Sequence, residues 1–269
     1  MTAASQFQPH ERIDGDSALG LVFIADHAFN LMPEEYGSLG LPSSEMERHI
    51  AYDIGIEGLT RALARLTGAP AIMARFSRLL IDPNRGADDP TLIRQLYDGT
   101  VVPGNYPMSE EERALRLARY YQPYHEAVDA LLDEVEERAG KPPLVISLHS
   151  YTPRMQGRER PWHVGILWDS DARAVTPLLN MLRAEPGLVV GDNEPYDGAL
   201  AGDSMFKHCT VKGYAHALIE VRQDLISGEA GIQEWANRLA PMLMDLNAQP
   251  ELHESIIGPS RTGPVPGRE

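Results

Sequence analysis

Six short apolar runs, separated by stretches of helical periodicity, constrain the fold of this chain more than any other feature. They are LVFIAD (21–26), AIMARFS (71–77), LVISLHS (144–150), HVGILWD (163–169), LVVGD (188–192) and HALIEVR (216–222). Continuous apolar segments of this length read as strands buried on both faces. Between them lie helix signals. Ser44-x-x-Glu47 and Ser109-x-x-Glu112 are capping boxes, in which serine and glutamate satisfy the first free N–H groups of a helix. After the second box, Ala118, Tyr121, His125, Val128, Leu132 and Val135 recur at threes and fours until Gly140 and Pro142 end the helix. Strands alternating with helices predict an α/β fold, a three-layer α/β/α sandwich around a mostly parallel mixed sheet.

A chain of 269 residues suits one catalytic-sized domain over 1–269, with a core at about 20–246. The polar segment 1–19 and the proline-rich tail 247–269 are expected to be loose. With 39 acidic against 24 basic residues, the net charge of −15 would repel a polyanion, so nucleic acid and anionic membranes are poor partners. The single Cys209 allows neither an internal disulfide nor a cysteine-based metal cluster. The first residues lack a basic segment followed by an apolar one, and no apolar run approaches the ~20 residues of a membrane span, so a cytoplasmic location is expected. No G-x-S-x-G elbow and no glycine-rich nucleotide loop is present, which argues against serine-hydrolase chemistry and nucleotide cofactors.

In a parallel sheet, functional side chains gather where strands end. Here the first apolar run ends in Asp26-His27, the third in His149, and the last carries Glu220 among Ala217, Leu218, Ile219 and Val221. Two histidines and carboxylates at strand ends are the ingredients of a zinc site with an open position. The third ligand has three candidates, Asn30, His49 and Asp53. Asn30 offers only a neutral carbonyl. His49 and Asp53 are four apart on the helix expected from Ser44, so they should share one face. Asp53 is favoured, because its charge offsets that of the metal.

Arg75, Arg78 and Arg85 form a basic focus in an acidic chain, the pattern of a site for a small anion. The alternative is that they pair with Asp82, Asp88 and Asp89. His125, on the apolar seam of its helix, reads as a core residue. The clusters Arg160-Pro161-Trp162 and Asn193-Glu194-Pro195-Tyr196 either line a pocket or close turns.

SLHSYTP (147–153) is similar to the His-Ser-Tyr segment that supplies a zinc ligand in zinc carboxypeptidases, and IEVRQD (219–224) to their Glu-x-Arg segment. More of the chain resembles their relatives, the N-formylglutamate amidohydrolase family, through DHAFNLMPEEYGSLGL (26–41), HIAYDIG (49–55), SRLLIDPNR (77–85), PGNYP (103–107), PYHEA (123–127), RPW (160–162) and DNEPY (192–196). The carboxypeptidases carry a glutamate three residues after their first histidine, where this chain has Asn30. The resemblance implies a carboxypeptidase-like (phosphorylase/hydrolase-like) fold and a zinc ion held by His27, Asp53 and His149. It implies Glu220 as the group that takes a proton from the attacking water, Arg78 as an oxyanion or substrate contact, and Asn84 with Arg85 as a carboxylate grip. The substrate implied is a small anionic N-acyl amino acid such as N-formyl-L-glutamate, cleaved to formate and the amino acid. Two other readings are a carboxypeptidase-like hydrolase of a peptide or amino-acid conjugate, and a metal-free ligand-binding relative. For Glu220 the alternative is a buried glutamate paired with Arg222 or a nearby arginine.

Overall fold

The computed structural model describes residues 7–267. Seven strands form one mixed sheet: β1 (His10–Ile13), β2 (Leu21–Ala25), β3 (Ala71–Ala74), β4 (Leu144–Tyr151), β5 (Val164–Leu167), β6 (Val190–Asp192) and β7 (His216–Arg222). Their order is β1-β3-β2-β4-β7-β5-β6. The neighbours from β3 to β7 run parallel, as do β5 and β6, while β1 against β3 and β5 against β7 are antiparallel. All six apolar runs are strands. β1 was hidden from the apolar pattern because HERI is polar, as an edge strand with one open side can be. The segment 1–19 therefore is not loose over 10–13, where it pairs with β3; residues 1–6 lie outside the described residues.

Among the described residues, helices α1 (Ile56–Thr67), α3 (Gln122–Ala139), α4 (Val175–Arg183) and α5 (Glu229–Asn247) pack on the sheet, and the short α2 (Glu110–Arg116) leads into α3. Leu21, Phe23, Ile146, Leu148, Ala217 and Ile219 face α1, α4 and α5; Val22, Ile24, Val145 and Leu218 face α3. Strand alternation puts the end residues Asp26, His149 and Glu220 on the α3 side, level with Val145 and Leu218. Among the described residues, no helix is long and apolar enough to cross a membrane.

The two capping boxes fare differently. Ser109 Oγ accepts from Glu112 N at 3.1 Å and opens α2, and the run of helix ends at Gly140, whose φ of 66° suits glycine. Ser44 instead lies in a single turn, Ser43–Met46, that follows Pro42 and has no side-chain cap. The next helix starts at Ile56, so His49 and Asp53 sit in turns and share no helical face. The seam after Ser109 also slips. A wide turn over Leu117–Tyr121 inserts extra rotation, which exposes Ala118 and buries Tyr120 and Tyr124 beside Tyr121, His125 and Val128.

The tail is not loose throughout 247–269 either. His253 Nδ1 and Nε2 lie 2.8 Å from the carbonyls of Pro142 and Asn247, Ile256 N donates to Gly213 O, and Val265 is buried. Residues 268–269 fall outside the described residues.

Candidate metal centre

The centre is assembled from the C-terminal ends of β2 and β4 and from the turn ahead of α1. His27 follows β2, and its carbonyl accepts from Asp53 N at 2.8 Å, which pins the 49–55 turn against the strand end. On β4, His149 is the register partner of Glu220 on β7, so these two side chains emerge next to each other. His27 Nδ1 lies 3.3 Å and His149 Nδ1 2.7 Å from the same oxygen, Asp53 Oδ2. The other nitrogen of each ring faces a second buried carboxylate: His27 Nε2 is 2.7 Å from Asp82 Oδ1, and His149 Nε2 is 3.4 Å from Asp26 Oδ2. Asp26 is in turn held by Tyr124 Oη at 2.8 Å and Ser204 Oγ at 2.7 Å.

This donor set fits a metal ion. Ligating histidines commonly spend their second nitrogen on a carboxylate, which fixes the ring and raises its basicity. Here His27 does so with Asp82, His149 Nε2 faces Asp26 at 3.4 Å, and one nitrogen of each ring with one Asp53 oxygen lie within 4.8 Å of one another. His27, Asp53 and His149 thus form a buried group able to hold a cation. Two imidazoles and one carboxylate are the ligand types zinc accepts, with room for a fourth partner.

The charges show the same preparation. Burial would raise Asp53, but the His27 and His149 rings outweigh it and hold its carboxyl well below the usual range. Asp26 is depressed in the same way by His149, and Asp82 by Arg78 and His27, each against the effect of burial. For His149, burial opposes protonation but Asp26 and Asp53 push it up to about 10. Glu220 goes the other way. Burial pushes it up to about 7, with His149 opposing the shift and Asp53 adding to it, and its Oε2 has no hydrogen-bond partner among the described residues.

The centre forms the floor of a cavity of about 360 Å³, a size suited to a small molecule. Its lining further includes Arg78, Asn84, Arg85, Arg94 and Tyr97, the apolar Leu167, Leu200 and Leu218 with Asp203, buried Tyr151, Met155, and Tyr196 with Asp197, whose exposure puts them at the mouth.

A model of the N-formylglutamate amidohydrolases matches residues 19–227. The chain belongs to this family. Membership makes it a hydrolase of the amidohydrolase class. A gene product of Agrobacterium tumefaciens has a similar structure, with 29% identity over 91% of this chain and 97% of that one and a TM-score of 0.84. The N-formylglutamate amidohydrolase from Ralstonia eutropha JMP134 shares the fold at 22% identity, over 89% and 97% of the two chains, with a TM-score of 0.64. A bacteriophage poly-gamma-glutamate hydrolase also aligns, at 8% identity over 90% and 92% and a TM-score of 0.47. No curated protein gives a significant match to the chain.

Of the residues singled out from the amidohydrolase sequence, His27, Asp53, His149, Glu220, Arg78, Asn84 and Arg85 all line the one cavity. Of the three candidates for the third ligand, Asp53 lies with His27 and His149, and the other two have different neighbours. Asn30 turns away and donates Nδ2 to Met46 O at 2.8 Å, and His49 lies on the wall with Nε2 3.3 Å from Asp98. Arg78 is buried between two carboxylates, with Nη2 2.9 Å from Asp82 and Nη1 3.3 Å from Asp53. Arg75 sits 3.9 Å from Glu11. Among the described residues Arg85 donates to neutral acceptors alone, Asn84 O at 2.7 Å and Thr91 Oγ1 at 3.3 Å. Arg222 pairs with Asp224 at 2.8 Å and does not neutralise Glu220. His125 belongs to the core, its Nδ1 2.8 Å from His208 Nε2. At the mouth, Arg160 donates to Tyr196 Oη at 2.9 Å and lies over its ring, while Asn193 closes the turn by accepting from Trp168 N and Gly198 N.

Sequence reasoning missed Arg94 and Tyr97. Tyr97 lies on, and Arg94 just ahead of, a two-stranded hairpin (Leu96–Tyr97 with Thr100–Val101) whose strands are too short to write an apolar run; the Asp98-Gly99 turn, both residues at positive φ, is the signal that could have found it. The Arg94 guanidinium lies 4.5 Å from the Tyr97 ring centre, and its Nε has no hydrogen-bond partner among the described residues. Asp82 was visible only as a partner for arginine; its second role, on His27, has no signature in spacing.

Proposed function

We propose that the protein hydrolyses the amide bond of a small anionic N-acyl amino acid, with N-formyl-L-glutamate as prototype, using one zinc ion held by His27 Nδ1, His149 Nδ1 and Asp53. The observation that carries the reading is the convergence of two imidazole Nδ1 atoms on Asp53 with Glu220 next to His149 and one of its oxygens unpartnered. When bound there, the metal supplies Lewis acidity and positive charge for developing negative charge at the scissile carbonyl.

The remaining work falls to side chains. Glu220 accepts a proton from the attacking water and returns it to the leaving nitrogen, a task for a carboxyl that burial has brought toward neutrality, worth ~10²–10⁴ in rate. Arg78 uses Nε, Nη1 and Nη2 to hold Asp53 and Asp82, and a guanidinium with five N–H groups keeps two for the cavity, where they stabilise the oxyanion. Arg85, free of any carboxylate among the described residues, grips the substrate carboxylate together with Asn84. Asp26 and Asp82 keep the histidine rings in their ligating orientation.

The test is to load the purified protein with zinc, measure metal per chain, and compare hydrolysis of N-formyl-L-glutamate, N-acetyl-L-glutamate and a dipeptide. About one zinc per chain and the fastest release from the formyl compound support the reading. Faster cleavage of the dipeptide would move the function to a carboxypeptidase-like hydrolase, and no turnover with no metal uptake would leave a ligand-binding relative.

A further inference from the structure

The segment after the family's matched region returns to the rim of the cavity. Past Ile256 the chain runs along the end of β5, where Ser170 Oγ donates to Pro259 O. Arg261 then reaches two elements at once. Its backbone N donates to Asp169 Oδ1 at 2.9 Å, its Nε to Asp169 O at 2.8 Å and its Nη2 to Trp168 O at 2.7 Å. The same guanidinium meets Asp197 as a two-pronged fork, Nη1 to Oδ2 at 2.9 Å and Nη2 to Oδ1 at 2.7 Å.

Asp197 lies in the loop that connects Asn193 to Leu200, and Tyr196, Asp197, Gly198 and Leu200 of that loop all line the cavity. The inner end of the loop is already held. Asn193 Oδ1 takes Gly198 N at 3.0 Å, and a Cβ on Gly198 would come within 2.2 Å of Trp168 N, so the backbones touch. At the outer turn Arg160 meets Tyr196 Oη, whereas Asp197, apart from its contact with Ala199 N, has no partner but Arg261 among the described residues. Arg261 supplies the hold on Asp197 from outside the residues the family model matches.

We propose that Arg261 is a positioning residue for substrate binding, clamping the Asn193–Leu200 loop to the end of β5 so that Tyr196 and Leu200 stand against the cavity. The proposal rests on the cavity's being the substrate site. A planar fork suits this duty because it fixes direction as well as distance, whereas lysine would keep the charge and lose the geometry. Both partners are exposed enough to be screened by salt, so the clamp is modest and acts on loop order, leaving the buried chemistry alone.

The experiment compares full-length wild type with Arg261→Ala, Arg261→Lys, Asp197→Asn and the Arg261→Ala/Asp197→Asn double variant. The expected result is a KM raised about two- to fivefold in each single variant, the range of an exposed ion pair, with kcat little changed and no further rise in the double. Amide hydrogen exchange over 196–200 should quicken in Arg261→Ala with an unchanged melting temperature. Unchanged KM and exchange, additive effects in the double variant, or a parallel fall of kcat with melting temperature would each overturn the clamp. If wild type hydrolyses no N-acyl amino acid, the functional reading fails by itself, and exchange at 196–200 still decides whether Arg261 orders the loop.

Discussion

Replacing Glu220 by glutamine should move activity and stability in opposite directions. The side chain is 7% exposed and its carboxyl sits at about 7 in place of an ordinary 4.5. Between those values the folded protein keeps a proton that the unfolded chain has released. The slope of stability with pH is therefore negative there, and above pH 7 the folded state carries the full penalty of ionising a buried acid. At 1.36 kcal/mol for each tenfold change, the penalty is about 3 kcal/mol. Glutamine never ionises, so the chelator-treated variant should melt roughly 5–10 °C above chelated wild type at pH 8. At pH 4 the two should coincide. In the zinc-loaded enzyme the same variant should lose ~10²–10⁴ in kcat, because the amide keeps the shape but accepts no proton. The assay is a pair of thermal melts on metal-free protein at the two pH values, with steady-state turnover on loaded protein. A variant less stable than wild type at pH 8, or one with near-normal kcat, would refute the reasoning.

Asp53→Asn should lower zinc content on dialysis more than Asp82→Asn does if, as proposed, Asp53 binds the metal directly and Asp82 acts through His27; the latter should weaken zinc affinity roughly 10–100-fold, measured by competition with a chelator. His27→Ala or His149→Ala should leave a site with two protein ligands and sub-stoichiometric metal, and full occupancy by elemental analysis would remove that residue from the centre. Arg85→Ala should raise KM for a substrate carboxylate far more than for the corresponding amide, because only the charged group uses the guanidinium; equal effects would make Arg85 structural.

The strands and the residues at their ends were legible because burial on both faces writes long apolar runs, and a polar residue ending such a run stands out. His27, His149 and Glu220 were found that way. Asp53 was reached through its charge, and the helix invoked for it does not exist, since Pro42 opens only one turn and the link from 49 to 55 is held by tertiary contacts such as Asp53 N to His27 O. The polar strand β1 and the anchored tail were not legible, because each owes its place to partners distant in sequence, His10 to Ala74 and Arg261 to Asp197, and a single chain shows no periodicity for such pairings; the short hairpin at 96–101 was passed over although its Asp98-Gly99 turn marks it.

The register of β4 against β7 has a bearing on how this family can vary. Glu220 faces His149 because the two strands pair residue for residue from His216 with Val145 to Arg222 with Tyr151. Inserting or deleting one residue in either strand would turn its end residue to the opposite face, among Leu148 and Ile219, and abolish the pairing outright. The strands can thus change only by substitution. The Arg154–Glu159 hairpin and the Asn193–Leu200 loop carry no such constraint, and changes in their length would reshape the mouth while leaving the floor intact. Divergence in this fold should accordingly accumulate as indels at the rim, altering what is admitted, while the reacting groups stay in frame.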